Sequence, residues 1–183
     1  MEGFGNVRSF EQTFSVKKNS EVDIQMAGDI TPHCDIIAIC ELPNGAIVLV
    51  DAANSTIKLL SESFQHLTQC KLPSPPFDMC VIGATELALV TTGKVQFYFL
   101  ENFGLRSEKS IKIHDQSIGI AYFGWNLYVA MKTTLYRYSL DGKIVKLMYK
   151  EETLGTKGNA LLSLTKVIIK MLLNNSTQKV MNS

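Results

Sequence analysis

Long apolar runs are missing from this 183-residue chain. None reaches the roughly 20 uninterrupted apolar residues that a bilayer-crossing helix needs. The nearest stretch, ALLSLTKVIIKMLL at 160–173, is shorter and carries Lys166 and Lys170, which excludes a membrane span. Concentrated charge is missing too. The 18 Lys and Arg residues against 17 Asp and Glu give a net charge of +1, and the basic residues are scattered. Such a balance leaves no electrostatic footprint for nucleic acid or for an anionic membrane surface.

Cysteine is sparse. Cys34, Cys40, Cys70 and Cys80 include no C-x-x-C pair, so the usual spacings of zinc sites and redox dithiols are absent. The opening MEGFGNVRSFEQTF lacks the apolar core of a secretory signal. The expectation is a cytoplasmic chain with reduced, mostly buried thiols. The N-x-[ST] triplets beginning at Asn54, Asn174 and Asn175 are then expected to carry no glycan. G-x-S-x-G, H-E-x-x-H, P-loop and G-x-G-x-x-G motifs are all lacking. No arrangement of Ser, His and Asp suggests an activated nucleophile. The expected function is therefore non-catalytic, with no cofactor.

What is present is a core. With 46% hydrophobic and 19% charged residues, the chain suits a globular domain rather than a disordered one. Its apolar residues come in short runs closely punctuated by breakers, and the runs repeat. Superposing IIAIC (36–40), PFDMCVI (76–82) and SIGIAYF (117–123) on Ile39, Met79 and Ile120 gives steps of 40 and 41 residues. Second runs follow: AIVLV (46–50), ELALV (86–90) and NLYVA (126–130), with Val48, Ala88 and Val129 in equivalent places. Third runs are TIKLL (56–60), KVQFYFL (94–100) and TLYRYSL (134–140). Fourth runs are QCKL (69–72), SIKI (110–113) and IVKLMY (144–149). Asn44-Gly45, Gly93, Gly104, Gly124 and Asp141-Gly142 supply turns between them.

Four short strands in about 40 residues is the period of a β-propeller blade. A blade is packed by a neighbour on each face, so its middle strands should be apolar on both sides, as AIVLV and ELALV are. Lys58, Gln96 and Arg137 interrupt the third strands, which places those strands nearer the wet outer part of each blade. Small residues suit the crowded innermost strand, where Ala38 and Gly119 align with Asp78. The predicted fold class is all-β: a partial, open propeller of about three four-stranded blades. Residues 1–32 form a lead-in with an extended strand, and blades span about 33–72, 73–113 and 114–152. Residues 153–183 form the truncated start of a fourth blade and an irregular or helical tail. Leu161, Leu164, Ile168 and Leu172 share a helical face, whereas Val167-Ile168-Ile169 suits a strand equally well.

Asp51, Asn54 and Ile57 in DAANSTIKLL form a D-x-x-N-x-x-I pattern. It resembles the blades of NHL-type propellers, in which this Asp and Asn pin the loop between second and third strands by accepting backbone N–H bonds. In the second and third units Thr91 and Lys132 fall where Asp51 does. The string CDIIAICELPNGAIVLVDAANSTIKLL, with SPPFDMCVIGATELALV and SIGIAYFGWNLYVAMKTTLYRYSLDGKIVKLMYKE, is similar to the C-terminal propeller of bivalve-type tripartite-motif-like proteins. The resemblance covers roughly residues 10–164 and includes TFSVKK at 13–18, a lead-in segment. It implies a platform that recognises a protein substrate or partner. The zinc-binding RING and B-box modules that accompany such propellers have no counterpart here, so their ubiquitin-ligase chemistry maps onto no residue of this chain.

Three blades without closure would leave two apolar faces open. The expected partner is a protein, or a second copy seated on those faces. Asp51, Asn54, Gly45 and Gly142 are the structural turn residues, and His33, His114, Asp78 and Trp125 the candidate interaction surface. His33 and His114 occupy the same repeat position, with Pro73 between them in the middle unit. Trp125, Phe123, Tyr122 and Tyr128 crowd one turn, either as an exposed recognition patch or as packing between blades. Two alternatives remain in view: a single-stranded RNA platform, which would need a basic rim with stacking aromatics, and a calcium-dependent propeller hydrolase built around Asp78.

Overall fold

The computed structural model describes residues 21–102, 104–114 and 117–150. Among the described residues there is no helix, and twelve strands form three four-stranded antiparallel sheets, each laid down in chain order. The first blade comprises β1 (Ile36–Glu41), β2 (Ile47–Asp51), β3 (Thr56–Leu60) and β4 (His66–Lys71). The second comprises β5 (Pro76–Val81), β6 (Glu86–Thr91), β7 (Lys94–Glu101) and β8 (Gly104–Lys112). The third comprises β9 (Ser117–Phe123), β10 (Asn126–Met131), β11 (Thr134–Ser139) and β12 (Ile144–Lys150). β1 touches β5 and β5 touches β9 along the inner side, while β4 meets β8 at the periphery. The fold is an open, partial β-propeller. The predicted lead-in strand at 13–18 and the tail from 153 onward lie outside the described residues.

Side-chain alternation explains why the blades stack. Val48, Val50, Ile57 and Leu59 of the first blade turn toward the second, where they meet Leu87, Leu89 and Tyr98. The intervening residues of the second blade, Ala88, Val90, Val95 and Phe97, turn the other way onto Ile120, Leu127, Val129 and Tyr138. Both faces of the middle sheet are covered at β6, so Leu87 to Val90 are apolar without alternation. Each blade also skips one residue in the pairing of its first two strands, at Ile37, Phe77 and Ile118. These bulges recur with the repeat and sharpen the twist of each blade.

The repeat slips by one residue in the third blade, and this corrects the alignment expected from sequence. Ile39, Met79 and Ile120 pair with Leu49, Leu89 and Val129, so Val129 is the counterpart of Leu49 rather than of Val48. The cause is a shorter hairpin. Tyr122 pairs with Leu127 across a connection one residue shorter than those joining Glu41 to Ile47 and Val81 to Leu87. Gly124 and Trp125 close it with φ of +55° and +64°, the left-handed pair that a tight two-residue turn demands. Met131, not Lys132, therefore stands where Asp51 does. The counterparts of Lys58 are Gln96 and Tyr136, not Arg137.

Glycine is required at the β11–β12 turn. Gly142 has φ of +88°, and an added Cβ would lie 2.9 Å from Cβ of Ile111 in the neighbouring blade. Gly142→Ala is expected to lose more than about 1 kcal/mol of stability, from left-handed backbone strain and that contact together. Gly45→Ala should cost less, since there a Cβ would meet the Glu62 carboxylate at 3.1 Å and the Glu62 Cβ at 3.2 Å, both looser than the 2.9 Å contact at Gly142. Denaturant midpoints of the two variants would check the order.

Candidate functional site

The loop between β2 and β3 was expected to be pinned upon itself by Asp51 and Asn54. Part of that holds: Asp51 Oδ1 accepts the Asn54 backbone N–H at 3.3 Å, and Asn54 Nδ2 donates to Asp51 Oδ2 at 2.8 Å. Most of the remaining capacity reaches back to the segment ahead of β1. Asn54 Oδ1 accepts the N–H groups of Ile30 and Thr31 at 2.9 and 2.8 Å, and Asp51 Oδ1 that of Asp35 at 3.0 Å. Asn54 Nδ2 also donates to the His33 carbonyl at 3.2 Å. The motif thus clasps the lead-in onto the first blade. In blades two and three the counterparts of the Val50–Ile57 pair are Val90–Val95 and Ala130–Leu135, so each connection is two residues shorter than in blade one and has no room for the D-x-x-N turn.

Lys58 is the centre of that clasp. The expectation of a wetter third strand is corrected here, because every residue of β3 is buried and the Lys58 side chain is 0% exposed. Its Nζ lies 2.6 Å from Asp29 Oδ2 and 2.8 Å from Asp51 Oδ2. It donates to the Ile24 carbonyl at 3.0 Å and lies 3.1 Å from Cys34 Sγ. Around it, Ile24 and Met26 pack with Leu49, Leu60, Ile36 and Ile47. The lead-in therefore covers the part of the first blade's outer face around Leu49 and Leu60. Ile39, paired with Leu49 on that face, stays 67% exposed, so the expectation of an open face is corrected only in part.

Burial disfavours ionised Asp51, but hydrogen bonds from Lys58, Asn54, the Asp35 N–H and Cys34 outweigh it and hold the carboxyl well below the usual range. Burial likewise opposes charge on Lys58. Asp29 and Asp51, aided by Cys34, overcome it and keep the ammonium protonated beyond its ordinary range. Asp29, Cys34 and Asp51 could in principle hold a metal, their ligand atoms lying within 4.8 Å of one another. The Lys58 ammonium already bonds all three, supplying the positive charge that such a donor set demands.

Asp78 plays a different part from the one expected. Its Oδ1 accepts the Met79 N–H and its Oδ2 accepts the Ile120 N–H of the next blade, both at 2.8 Å. Burial pushes this carboxyl up, and the two N–H groups only partly offset it. Both oxygens are thus engaged, Oδ2 joining β5 to β9 and Oδ1 bonding within β5. His33 and His114 are exposed at the rim that also holds the β2–β3 loop. Each serves through its carbonyl: His33 accepts from Asn54 and from Thr31 Oγ1 at 2.7 Å, and His114 from Ser117 Oγ at 2.6 Å.

Trp125 sits at the opposite rim, in the β9–β10 turn, and is 80% exposed. The structure therefore does not gather His33, His114, Asp78 and Trp125 into one site. The aromatic group around Trp125 divides. Tyr122 packs into the interface of blades two and three, and Tyr128 packs against Ala130 and Leu135. Phe123 and Trp125 remain exposed. On the outermost strand of the same blade, Ile144, Val145, Leu147 and Tyr149 are exposed as well. The corresponding β8 presents Arg106, Ser107, Glu108 and Lys109 instead.

No protein-family profile matches the chain, and no curated protein matches it. Solved structures do. The hydrazine synthase of Kuenenia stuttgartiensis superposes with a TM-score of 0.56 at 14% identity, covering 69% of this chain and 40% of that one. The WD40 domain of Neurospora crassa Pan2 gives a TM-score of 0.53 at 12% identity, covering 62% and 36%. A protein of unknown function from Bacteroides caccae gives 0.52 at 9% identity, covering 67% and 48%. This chain spans less than half the length of each, and the likeness supports the propeller fold.

Proposed function

We propose that the chain is a non-catalytic protein-interaction module whose contact surface is the Trp125 rim together with the outer strand β12 of the same blade. The resemblance to tripartite-motif-like propellers supports a finer reading, in which it recognises a substrate for ubiquitin transfer carried out by other modules. Trp125 is the observation that carries the proposal. A large aromatic side chain is held 80% exposed at φ +64°, a backbone state that costs a non-glycine residue roughly 1 kcal/mol or more. A turn selected for stability alone would favour Gly or Asn there. Rigid, exposed Trp is also the residue type most enriched at interface hot spots.

Trp125→Gly separates the two demands. It should leave stability unchanged or raise it by about 0.5–1 kcal/mol, because glycine relieves the left-handed strain. Loss of the aromatic anchor should weaken partner binding by about 2 kcal/mol or more, some thirtyfold. Quantitative affinity capture with both proteins, alongside a denaturant titration, reads both effects. Equal partner retention by the variant would remove Trp125 from the surface. Salt-sensitive RNA retention would replace the reading with a nucleic-acid platform, and a calcium-dependent thermal shift with a hydrolase.

A further inference from the structure

The lead-in is tied to the first blade by more than an ion pair, because the clasp places a thiol against an amine. Cys34 Sγ stands 3.1 Å from Lys58 Nζ, and Nζ is held still by Asp29, Asp51 and the Ile24 carbonyl. We propose that Cys34 and Lys58 form an oxidation-dependent Sγ–Nζ bond that fastens the lead-in covalently to β3.

The oxidant is a peroxide, and the reaction runs in two steps. In the first, the Cys34 thiol reacts with hydrogen peroxide to give a sulfenic acid and water. Sulfur is oxidised by two electrons, and the peroxide O–O bond is reduced. In the second, Nζ first passes one ammonium proton to Asp29, and its freed lone pair attacks the sulfenic sulfur; the S–O bond breaks, hydroxide leaves as water, and an S–N bond forms. Sulfenic acids condense with a neighbouring nitrogen in this manner. The ammonium gives up one proton to the departing hydroxide and one to Asp29. The Oδ1 of that residue is buried and has no hydrogen-bond partner among the described residues. One nitrogen-bound hydrogen remains.

Three features favour this outcome over further oxidation of sulfur. Nζ is already within van der Waals reach, so little orientational freedom is lost on bonding. The Lys58 side chain is fully buried, so the amine outcompetes water at the sulfenic sulfur. Cys34 itself is only partly buried, which admits a small peroxide. Burial also holds the Cys34 thiol above its usual range, so bridging demands sustained peroxide rather than a trace.

The test uses the full chain, treated with hydrogen peroxide and digested by trypsin without reductant. Cys34 and Lys58 fall on one tryptic peptide, 19–58. The expected species is lighter by about 2 Da, the two hydrogens lost in the net oxidation, with cleavage after Lys58 blocked and an internally bridged peptide 19–71 in its place. A thiol reductant should restore both. Cys34→Ser should abolish the bridge, while Cys40→Ser and Cys80→Ser should retain it. Recovery of Cys34 as a free thiol or an oxygen adduct, with normal cleavage after Lys58, would overturn the proposal. So would a blocked Lys58 in Cys34→Ser. Should that variant fail to fold, digestion of the unaltered chain with and without reductant decides the matter alone.

Discussion

Replacing Lys58 by methionine is expected to cost about 3–5 kcal/mol, the usual penalty for removing one partner from a buried ion pair. Methionine fills similar volume, so the loss is electrostatic rather than a cavity. Two carboxylates, Asp29 and Asp51, would remain beside each other without a cation. The cheapest relief is to release the lead-in, letting Asp29 reach water while Asp51 keeps its bonds to Asn54 and Asp35. The effect should therefore concentrate at residues 24–31, as faster amide exchange and proteolysis, with new dye-binding apolar surface at Leu49 and Leu60. Acid provides the sign check. Asp51 is held below its ordinary 3.8, so its stabilisation is present above that pH and is lost as pH falls through the lower folded value. Lys58 is held above its ordinary 10.5, so its contribution persists through neutral pH and fades only in strong alkali. The gap between native protein and Lys58→Met should accordingly be widest near neutrality and narrow below pH 4 or so. Urea titrations across that range measure it. A gap independent of pH would show that the ammonium is not what the carboxylates need.

The same lysine shows where sequence reading reached its limit. Strand positions and the inner-strand repeat were legible because alternating faces and turn residues are local properties. Ile39, Met79 and Ile120 keep one register through all blades. A lysine between apolar neighbours also reads locally, as a solvent-facing residue, and that reading failed. What buries Lys58 is Asp29, 29 residues earlier, in a segment with no strand pattern of its own. The pair Asp51 and Asn54 did signal a pinned β2–β3 loop, which the structure extends into a clasp on the lead-in. Its far end could not be found, because the donors there are backbone N–H groups of Ile30, Thr31 and Asp35, which carry no residue signature. The one-residue slip in the third blade was hidden for a related reason. Val129 is apolar in either register, and only the two-residue turn at Gly124-Trp125 shows which is correct.

The second large effect is expected at the other interface. Phe97 is fully buried between blades two and three, with the Lys109 ammonium 4.5 Å from its ring centre. Phe97→Ala should cost about 3–5 kcal/mol through lost transfer energy and the cavity left behind. How the loss distributes is more informative than its size. In a stack of repeats, stability is approximately a sum of blade terms and nearest-neighbour terms. Phe97 belongs to the neighbour term shared with Ile120, Leu127 and Val129, to which the Asp78–Ile120 bond is the chief polar addition. The third blade has no further described blade beyond it, so it should lose amide protection first, across Ile118–Met148, while β1–β4 keep theirs. Lys58→Met should act at the other end, loosening the lead-in on the first blade and sparing β9–β12. Hydrogen exchange on the two variants thus tests whether the blades are coupled only to their neighbours. Uniform loss of protection in both would mean that the three sheets melt as one cooperative unit, and that neither interface has an energy of its own.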